Sequence, residues 1–356
     1  MTIAINARFL TQNMSGVQRF AREVTTAMAA LSEAGQAPRL RLLAPKGAPL
    51  TFAGLPVETL GRLSGQAWEQ LELPRAAGRD LLLYLGNSAP LLRGARQAVV
   101  IHDAGAFDTP DSYSLAFRSW YRALHLALPR LGAQLITVSD FSRSRLSRRL
   151  GVDADRIGVI AEGGEHALRD PADEAVLAKH GLSPRSYALA VGTRAGHKNL
   201  GALRDAVALL ASRGLTLAVA GAADASVFRN AGDVDAAKAL GRVSDAELRA
   251  LYENALCLIF PSRYEGFGLP PLEAMWCHCP VLAASAGAVP EVCGDAALWF
   301  DAEGPSRGER TPAAALARLL DEPGLADHLR TTGRARAETF SWPAAARRLL
   351  DLVEPR

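Results

Sequence analysis

Short apolar runs punctuate the chain, separated by longer stretches in which apolar positions recur every three or four residues. In the first half the runs fall at Thr2–Ile5, Leu40–Leu43, Leu81–Leu85, Val99–Ile101, Leu135–Val138 and Ile157–Ile160. In the second half they fall at Tyr187–Val191, Leu215–Ala220, Ala255–Phe260, Val281–Ala283 and Ala297–Phe300. Continuous apolar runs of this length predict strands buried on both faces. Between them, Val17–Leu31, Ser114–Leu128, Leu200–Ala211 and Asp245–Asn254 carry the helical period. Strands alternating with helices predict parallel sheets covered on both sides. The pattern begins twice, at Thr2 and again at Tyr187, which predicts an α/β protein of two doubly wound, Rossmann-like domains.

The break between them is expected in Ala161-Glu162-Gly163-Gly164-Glu165-His166, which follows a strand and carries a glycine pair. That places the first domain at 1–164 and the second at 165–340. The tail Phe340-Ser341-Trp342-Pro343, followed by Ala344–Val353, reads as a capped last helix. This segment, 341–356, is expected to pack back on the first domain.

A length of 356 residues suits two domains of roughly 150–200 residues each. No apolar run approaches the roughly 18 residues of a membrane span. The start, Met1-Thr2-Ile3-Ala4-Ile5-Asn6, reads as a first strand rather than a secretion signal. The four cysteines, 257, 277, 279 and 293, form no disulfide framework and are expected reduced. Cys277-His278-Cys279 is tighter than a zinc pair and has no second ligand pair, so packing is the simpler reading. The net charge of +3 hides an asymmetry. Residues 1–160 hold 19 Lys+Arg against 12 Asp+Glu, and residues 161–356 hold 21 against 25. Only four basic residues are Lys (46, 179, 198 and 238), so a Lys inside a motif carries more meaning than an Arg.

Ligands of doubly wound sheets bind outside the carboxyl ends of the strands. Four segments stand there. Ser15-Gly16-Val17-Gln18-Arg19 brings a glycine to a helix start, either an ordinary tight turn or an approach for an anion. His102-Asp103 ends a strand; the imidazole could bond backbone or serve a hydroxyl or a proton. Gly192-Thr193-Arg194-Ala195-Gly196-His197-Lys198-Asn199 joins glycines, cations and a helix start, as a phosphate cradle would, without the Walker spacing of an ATPase. Pro261-Ser262-Arg263-Tyr264-Glu265-Gly266-Phe267-Gly268-Leu269-Pro270-Pro271-Leu272-Glu273 sets two carboxylates around accessible amides. That chemistry suits a polyhydroxylated ligand.

Glu265 and Glu273 form a Glu-x7-Glu motif. The surrounding EGFGLPPLEAM resembles the donor site of the retaining nucleotide-sugar glycosyltransferases of family four, which have the GT-B fold and include many mannosyltransferases. GVQRFARE (16–23), IHDAGAFDTPDSYS (101–114), ITVSDFSRSRL (136–146), VGTRAGHKNL (191–200) and LGRVSDAELRALYENA (240–255) resemble further segments of that family in its own order. Together they span about residues 1–342.

The resemblance implies two domains facing a cleft and a role for each matched residue. Lys198 would neutralise the donor diphosphate within the loop of Gly192 and Thr193. Arg194 would assist, although the family often places its Arg directly after the glycine, where this chain has Thr193. Glu273 would bind the ribose hydroxyls and Glu265 would face the sugar. Gly266 and the amides of Phe267, Gly268 and Leu269 would lie near the sugar and phosphate, and Arg242 and Val243 would line the base. From the first domain, Gly16 would approach the diphosphate and His102 the sugar.

The implied reaction is retaining hexosyl transfer by front-face attack, in which the leaving diphosphate helps deprotonate the acceptor. It requires no metal and no other cofactor. Asp153-Ala154-Asp155 and Asp233-Val234-Asp235 do not directly follow strongly apolar strands, as a metal-binding Asp-x-Asp should. The expected donor is GDP-mannose, with UDP-sugars and dTDP-rhamnose as alternatives. The expected acceptor is a saccharide or a polyprenyl-diphosphate-linked oligosaccharide of surface glycan synthesis. A UDP-sugar 2-epimerase would need an acid–base set that does not assemble here, and a non-catalytic scaffold would be expected to have lost Lys198, Glu265 or Glu273.

Residues 118–149 hold seven Arg and one acid, Asp140, and Phe117, Trp120, Tyr121, Leu124 and Leu128 interleave with them. They read either as a face resting weakly on anionic membrane or as core plus solvated charge. No nucleic-acid recognition motif is present. The expected location is cytoplasmic, with a peripheral place on the inner face of the cytoplasmic membrane open to the chain.

Overall fold

The first apolar run folds as β1 (Thr2–Asn6), with Ile3, Ala4 and Ile5 fully buried. The protein is described here from a computed structural model covering residues 2–94, 96–192, 195–221, 237–303 and 310–353. Around β1 lie β2 (Arg39–Ala44), β3 (Thr51–Phe52), β4 (Leu55–Thr59), β5 (Leu81–Tyr84), β6 (Gln97–Val100), β7 (Gln134–Thr137) and β8 (Ile157–Val159). Their order is β3-β4-β2-β1-β5-β6-β7-β8. Every pairing is parallel except β3 with β4. That hairpin turns through Ala53 and Gly54, both at positive φ, as a two-residue loop matched to strand twist requires. The apolar pattern does not announce it, because Pro56 and Glu58 interrupt the run.

The second sheet, among the described residues, contains β9 (Tyr187–Val191), β10 (Thr216–Ala220), β11 (Ala237–Gly241), β12 (Leu258–Phe260), β13 (Val281–Ala284) and β14 (Ala297–Phe300). The order is β11-β10-β9-β12-β13-β14, all parallel. β11, with Lys238 as its second residue, is a further strand beyond the apolar runs. The run Ala255–Phe260 is extended only from Leu258, and the helical pattern at Leu200–Ala211 is a 3-10 turn over Leu200–Leu203 before the helix Arg204–Ser212.

Contacts divide the chain into two units. One takes residues up to Gly163 together with those from Ser341 on, and the other runs from Gly164 to Phe340. In the first unit the last helix, Trp342–Val353, packs on the helix Gly16–Glu33. Trp342 meets Phe20 edge-to-face at 6.0 Å.

Both sheets reverse direction once. β1 connects to β2 on one side while β5 lies on the other, and β9 and β12 stand in the same relation in the second sheet. Such reversals leave a crevice at the carboxyl ends of the two central strands.

Within the first unit, His125 lies on the helix Leu115–Arg130. Its Nε2–H donates to the Asn87 carbonyl at 2.7 Å, and its Nδ1 is buried with no partner. A second proton would sit in an apolar site unpaired, so burial pushes the His125 pKa down to about 4. The unfolded value is near 6.5. This residue therefore adds stability above pH 6.5 that is lost as pH falls toward 4, by up to about 3 kcal/mol. The urea midpoint of the first unit is expected to drop on acidification over that range, and less so in His125→Gln. An acid slope unchanged by the substitution would contradict this.

Candidate active site

β9 leads into the 3-10 turn Gly196–Lys198, and β12 leads into the segment carrying Glu265. These are the two strands flanking the second reversal. Lys198 Nζ donates to Glu265 Oε1 at 2.7 Å, with both side chains mostly buried. The ammonium also lies 5.6 Å from the Phe260 ring centroid. Two features hold the turn. Asn199, at φ +53°, donates through Nδ2 to the carbonyls of Pro261 and Ala302, at 3.2 and 3.0 Å. The Arg263 N–H donates to the His197 carbonyl at 2.8 Å. One ammonium hydrogen is spent on Glu265, and two remain for a further anion.

The helix Leu269–Trp276 starts at Gly268, whose φ is +120°. Pro270 and Pro271 lack N–H groups, so Phe267, Gly268 and Leu269 carry the donors of this helix start. Phe267 and Leu269 are buried, and Phe267 packs edge-to-face on Phe340 at 5.9 Å. A residue that the motif reading did not identify seats this loop. Gly287 (φ +62°) lies so close that a Cβ there would stand 2.6 Å from the Glu265 nitrogen. The Ala288 N–H donates to the Glu265 carbonyl at 3.1 Å.

Glu273 faces the interior of the second unit. Its Oε1 is 2.9 Å from His166 Nε2, and its Oε2 accepts from the Tyr252 hydroxyl at 3.1 Å. A small cavity lined by His166, Asp245, Leu248, Arg249, Tyr252 and Glu273 opens beside it. Neither His166 nor Tyr252 stands out in the sequence as a site residue; the one signal is His166's position two residues after the glycine pair. Arg242 is exposed and Val243 half-buried. Both stand before the helix Asp245–Asn254, whose start is fixed by a reciprocal Ser244–Glu247 cap. Gly192 ends β9 against the stem of Lys198. Thr193, Arg194 and Asp233-Val234-Asp235 lie outside the described residues.

In the first unit His102 is buried. Its Nε2–H donates to the Leu85 carbonyl at 3.0 Å, and its Nδ1 lies 3.4 Å from Glu162 Oε1. Burial works against charge on the ring. The hydrogen bond and charge of Glu162, with Leu85 and Asp103, outweigh it and raise the His102 pKa. The His102 N–H donates to Asn87 Oδ1 at 2.7 Å, and its carbonyl accepts from Ser142 Oγ at 2.9 Å. The ring nitrogens are thus turned to Leu85 and Glu162, while the carbonyl keeps a second lone pair. Gly16 begins its helix without a side-chain cap from Ser15, and a Cβ there would meet nothing within 4 Å.

At the β1/β5 reversal a pocket is lined by Asn6, Arg8, Gln12, Gln18, Glu69 and Gly86. Glu69 is buried, and its oxygens accept from Asn6 Nδ2 at 2.5 Å and Ser88 Oγ at 2.8 Å. Arg8 Nε lies 3.2 Å from it.

Two acidic or thiol groups singled out by sequence lie elsewhere. Asp153 and Asp155 are exposed on the turn before β8, at the strand's amino end. Cys277 and Cys279 are buried, and burial pushes the Cys279 thiol up to about 12, whereas His278 points to solvent. Among the described residues no group of three His, Cys, Asp or Glu gathers as a metal site.

The arginine-rich stretch divides. Leu124 and Leu128 belong to the core, while Leu115, Phe117 and Trp120 are exposed at 67%, 40% and 37%. Arg145 and Arg149 pair with the buried Asp108, both at 2.7 Å. Arg122 bonds the Ala106 and Phe107 carbonyls. No helix among the described residues is long and apolar enough to cross a membrane.

Comparison with known proteins adds to this geometry. The sequence model of the family described as glycosyl transferases group 1 matches residues 185–322. The O-antigen chain mannosyltransferase B of Escherichia coli is 34% identical over 261 residues, which are 69% of this chain and 67% of that protein. The chain belongs to the group 1 glycosyltransferases. A second relative of this glycosyltransferase is the MMP alpha-(1->4)-mannosyltransferase of Mycolicibacterium hassiacum, 30% identical over 67% of this chain and 58% of that protein. The match thus takes in less than two thirds of that relative's length. The crystal structure of WaaG, a glycosyltransferase involved in lipopolysaccharide biosynthesis, superposes over 100% of both chains with a TM-score of 0.74 at 16% identity. The two Rossmann-like units of this hexosyltransferase thus form the GT-B fold.

Proposed function

We propose that the protein transfers mannose from GDP-mannose, with retention at the anomeric carbon, to a saccharide or polyprenyl-diphosphate-linked oligosaccharide of a surface glycan. The observation carrying this reading is the Lys198–Glu265 contact across the second sheet's reversal point, an ammonium and a carboxylate on the segment that leads into the helix start at Gly268. The mannosyl donor is supported by the names of the two relatives, both mannosyltransferases.

In this reading the diphosphate takes the remaining hydrogens of Lys198 and the loop amides. These offset the charge that develops as the glycosidic bond breaks. The leaving phosphate oxygen accepts the acceptor proton on the same face, so no enzyme nucleophile is required. Glu265 and the His102 carbonyl stabilise positive charge on the sugar. Glu273 holds the ribose, Arg242 and Val243 flank the base, and Gly16 leaves room for the phosphates. The chemistry draws on an ammonium and amides rather than a divalent ion. The acceptor sugar is assigned to the Arg8–Glu69 pocket. A charge-balanced pair with the carboxamides of Gln12 and Gln18 suits neutral hydroxyls.

The test is product analysis with GDP-mannose, UDP-glucose and dTDP-rhamnose, each offered with a mannoside acceptor. Formation of an α-mannoside from GDP-mannose alone, read by NMR, is expected. A β-linked product, or transfer from another donor only, would refute the reading.

We also infer weak contact of the first unit with anionic membrane through Leu115, Phe117 and Trp120 and the neighbouring arginines within 117–149. Sedimentation with phosphatidylglycerol vesicles at low salt is expected to carry down wild type and much less of Trp120→Ala. Equal sedimentation of the two would oppose this contact.

A further inference from the structure

The chain passes from the first unit to the second between Gly163 and Gly164. The residues beside this crossing reach the two half-sites. Glu162, on the first side, is buried against His102, with Oε1 3.4 Å from Nδ1. His166, on the second side, is buried against Glu273 at 2.9 Å. Four positions thus separate a carboxylate turned to one proposed active-site residue from an imidazole turned to the other. The second arm is fixed firmly. A Cβ at Gly164 would stand 2.5 Å from Trp276 Cδ1 and 2.7 Å from Leu272 Cγ. The chain leaving the crossing therefore lies directly on the helix that carries Glu273, and only glycine permits that approach.

We infer that Glu162 and His166 are positioning residues that tie each half-site to the interdomain crossing, Glu162 orienting His102 and His166 orienting Glu273. A linker acting only as a flexible joint would gain nothing from two buried polar side chains aimed at these two residues. Each is costly to bury unpaired and is retained through a specific partner. His166 presents its ring nitrogen to one carboxylate oxygen while Tyr252 donates to the other, so the carboxylate cannot rotate without losing one of them. Glu162 holds the His102 ring and thereby steadies the backbone whose carbonyl, which accepts from Ser142 Oγ, is assigned above to the sugar. The inference rests on the donor-site reading given above.

The two arms have different kinetic signatures, which a merely structural role would not produce. The test uses the full chain, with GDP and UDP as calorimetric probes and steady-state transfer as the second readout. His166→Leu is expected to weaken nucleotide binding roughly tenfold, the scale of one hydrogen bond to a charged group, with kcat within about twofold. Glu162→Leu is expected to lower kcat roughly tenfold and to leave nucleotide affinity within about twofold. His166→Gln and Glu162→Gln keep a hydrogen-bonding group and are expected to recover most of each loss. If the leucine variants fail to fold, His166→Asn and Glu162→Asp, whose shorter side chains withdraw from Glu273 and His102, decide instead: each must depress its own parameter and spare the other. Both pairs of variants moving the same parameter, or neither moving any, would overturn the inference. Failure of the wild type, shown folded, to bind either nucleotide would instead reject the donor-site reading, while nucleotide affinity untouched in His166→Leu rejects only the positioning role.

Discussion

Lys198→Ala is expected to lower kcat by about 10²- to 10³-fold, the scale seen when one preorganised electrostatic group is removed from a site of developing charge. The side chain contributes in two ways. It places a positive charge 2.7 Å from the Glu265 carboxylate, and its stem covers Gly192 just after β9. The substitution removes the charge without opening the core, because Lys198 lies on a turn rather than within a strand. Stability should therefore change little while turnover collapses. Lys198→Arg should recover only part of the rate, since a planar guanidinium does not reproduce a compact ammonium paired with Glu265 and proposed to meet a diphosphate. Steady-state rates at saturating donor are the measurement. A loss smaller than tenfold would mean that charge at the leaving group is stabilised elsewhere.

Glu273→Ala should act on binding instead. On the proposed ribose role, losing the carboxylate that two hydroxyls would share should weaken nucleotide affinity by about 10- to 100-fold. The same change leaves the Tyr252 hydroxyl and the His166 ring without their partner. A cost to stability of about 1–3 kcal/mol is expected with it. Glu265→Ala provides the contrast, with turnover reduced more than donor affinity. Equal nucleotide affinity of wild type and Glu273→Ala, by calorimetry, would reject the ribose assignment.

The alternation of apolar runs and helical stretches is enough to read two parallel sheets from the sequence, because strands buried on both faces are dominated by apolar residues. It missed β3, β4 and β11, where Pro56, Glu58 and Lys238 sit on short strands toward or at a sheet edge and burial is one-sided. The Lys198 and Glu265 segments were legible because glycines, prolines and charges cluster directly after apolar runs. Their partners were not. Tyr252 looks like any aromatic on an amphipathic helix, and Gly287 like any loop glycine. Their importance comes from tertiary proximity, which periodicity does not encode. The segment 161–166 reads as a joint from its place after a strand and its glycine pair; the partners of Glu162 and His166 appear only in three dimensions.

A thermal-shift panel of GDP, UDP, dTDP and their sugars, each with and without EDTA, tests the donor site most directly. Ligand at 100 times its Kd stabilises the folded state by about 2.7 kcal/mol, or several degrees in midpoint for a domain of this size. A shift selective for guanine nucleotides, unchanged by EDTA and smaller in Lys198→Ala, is expected. No shift with any nucleotide in folded protein, or a shift abolished by EDTA, would contradict this expectation.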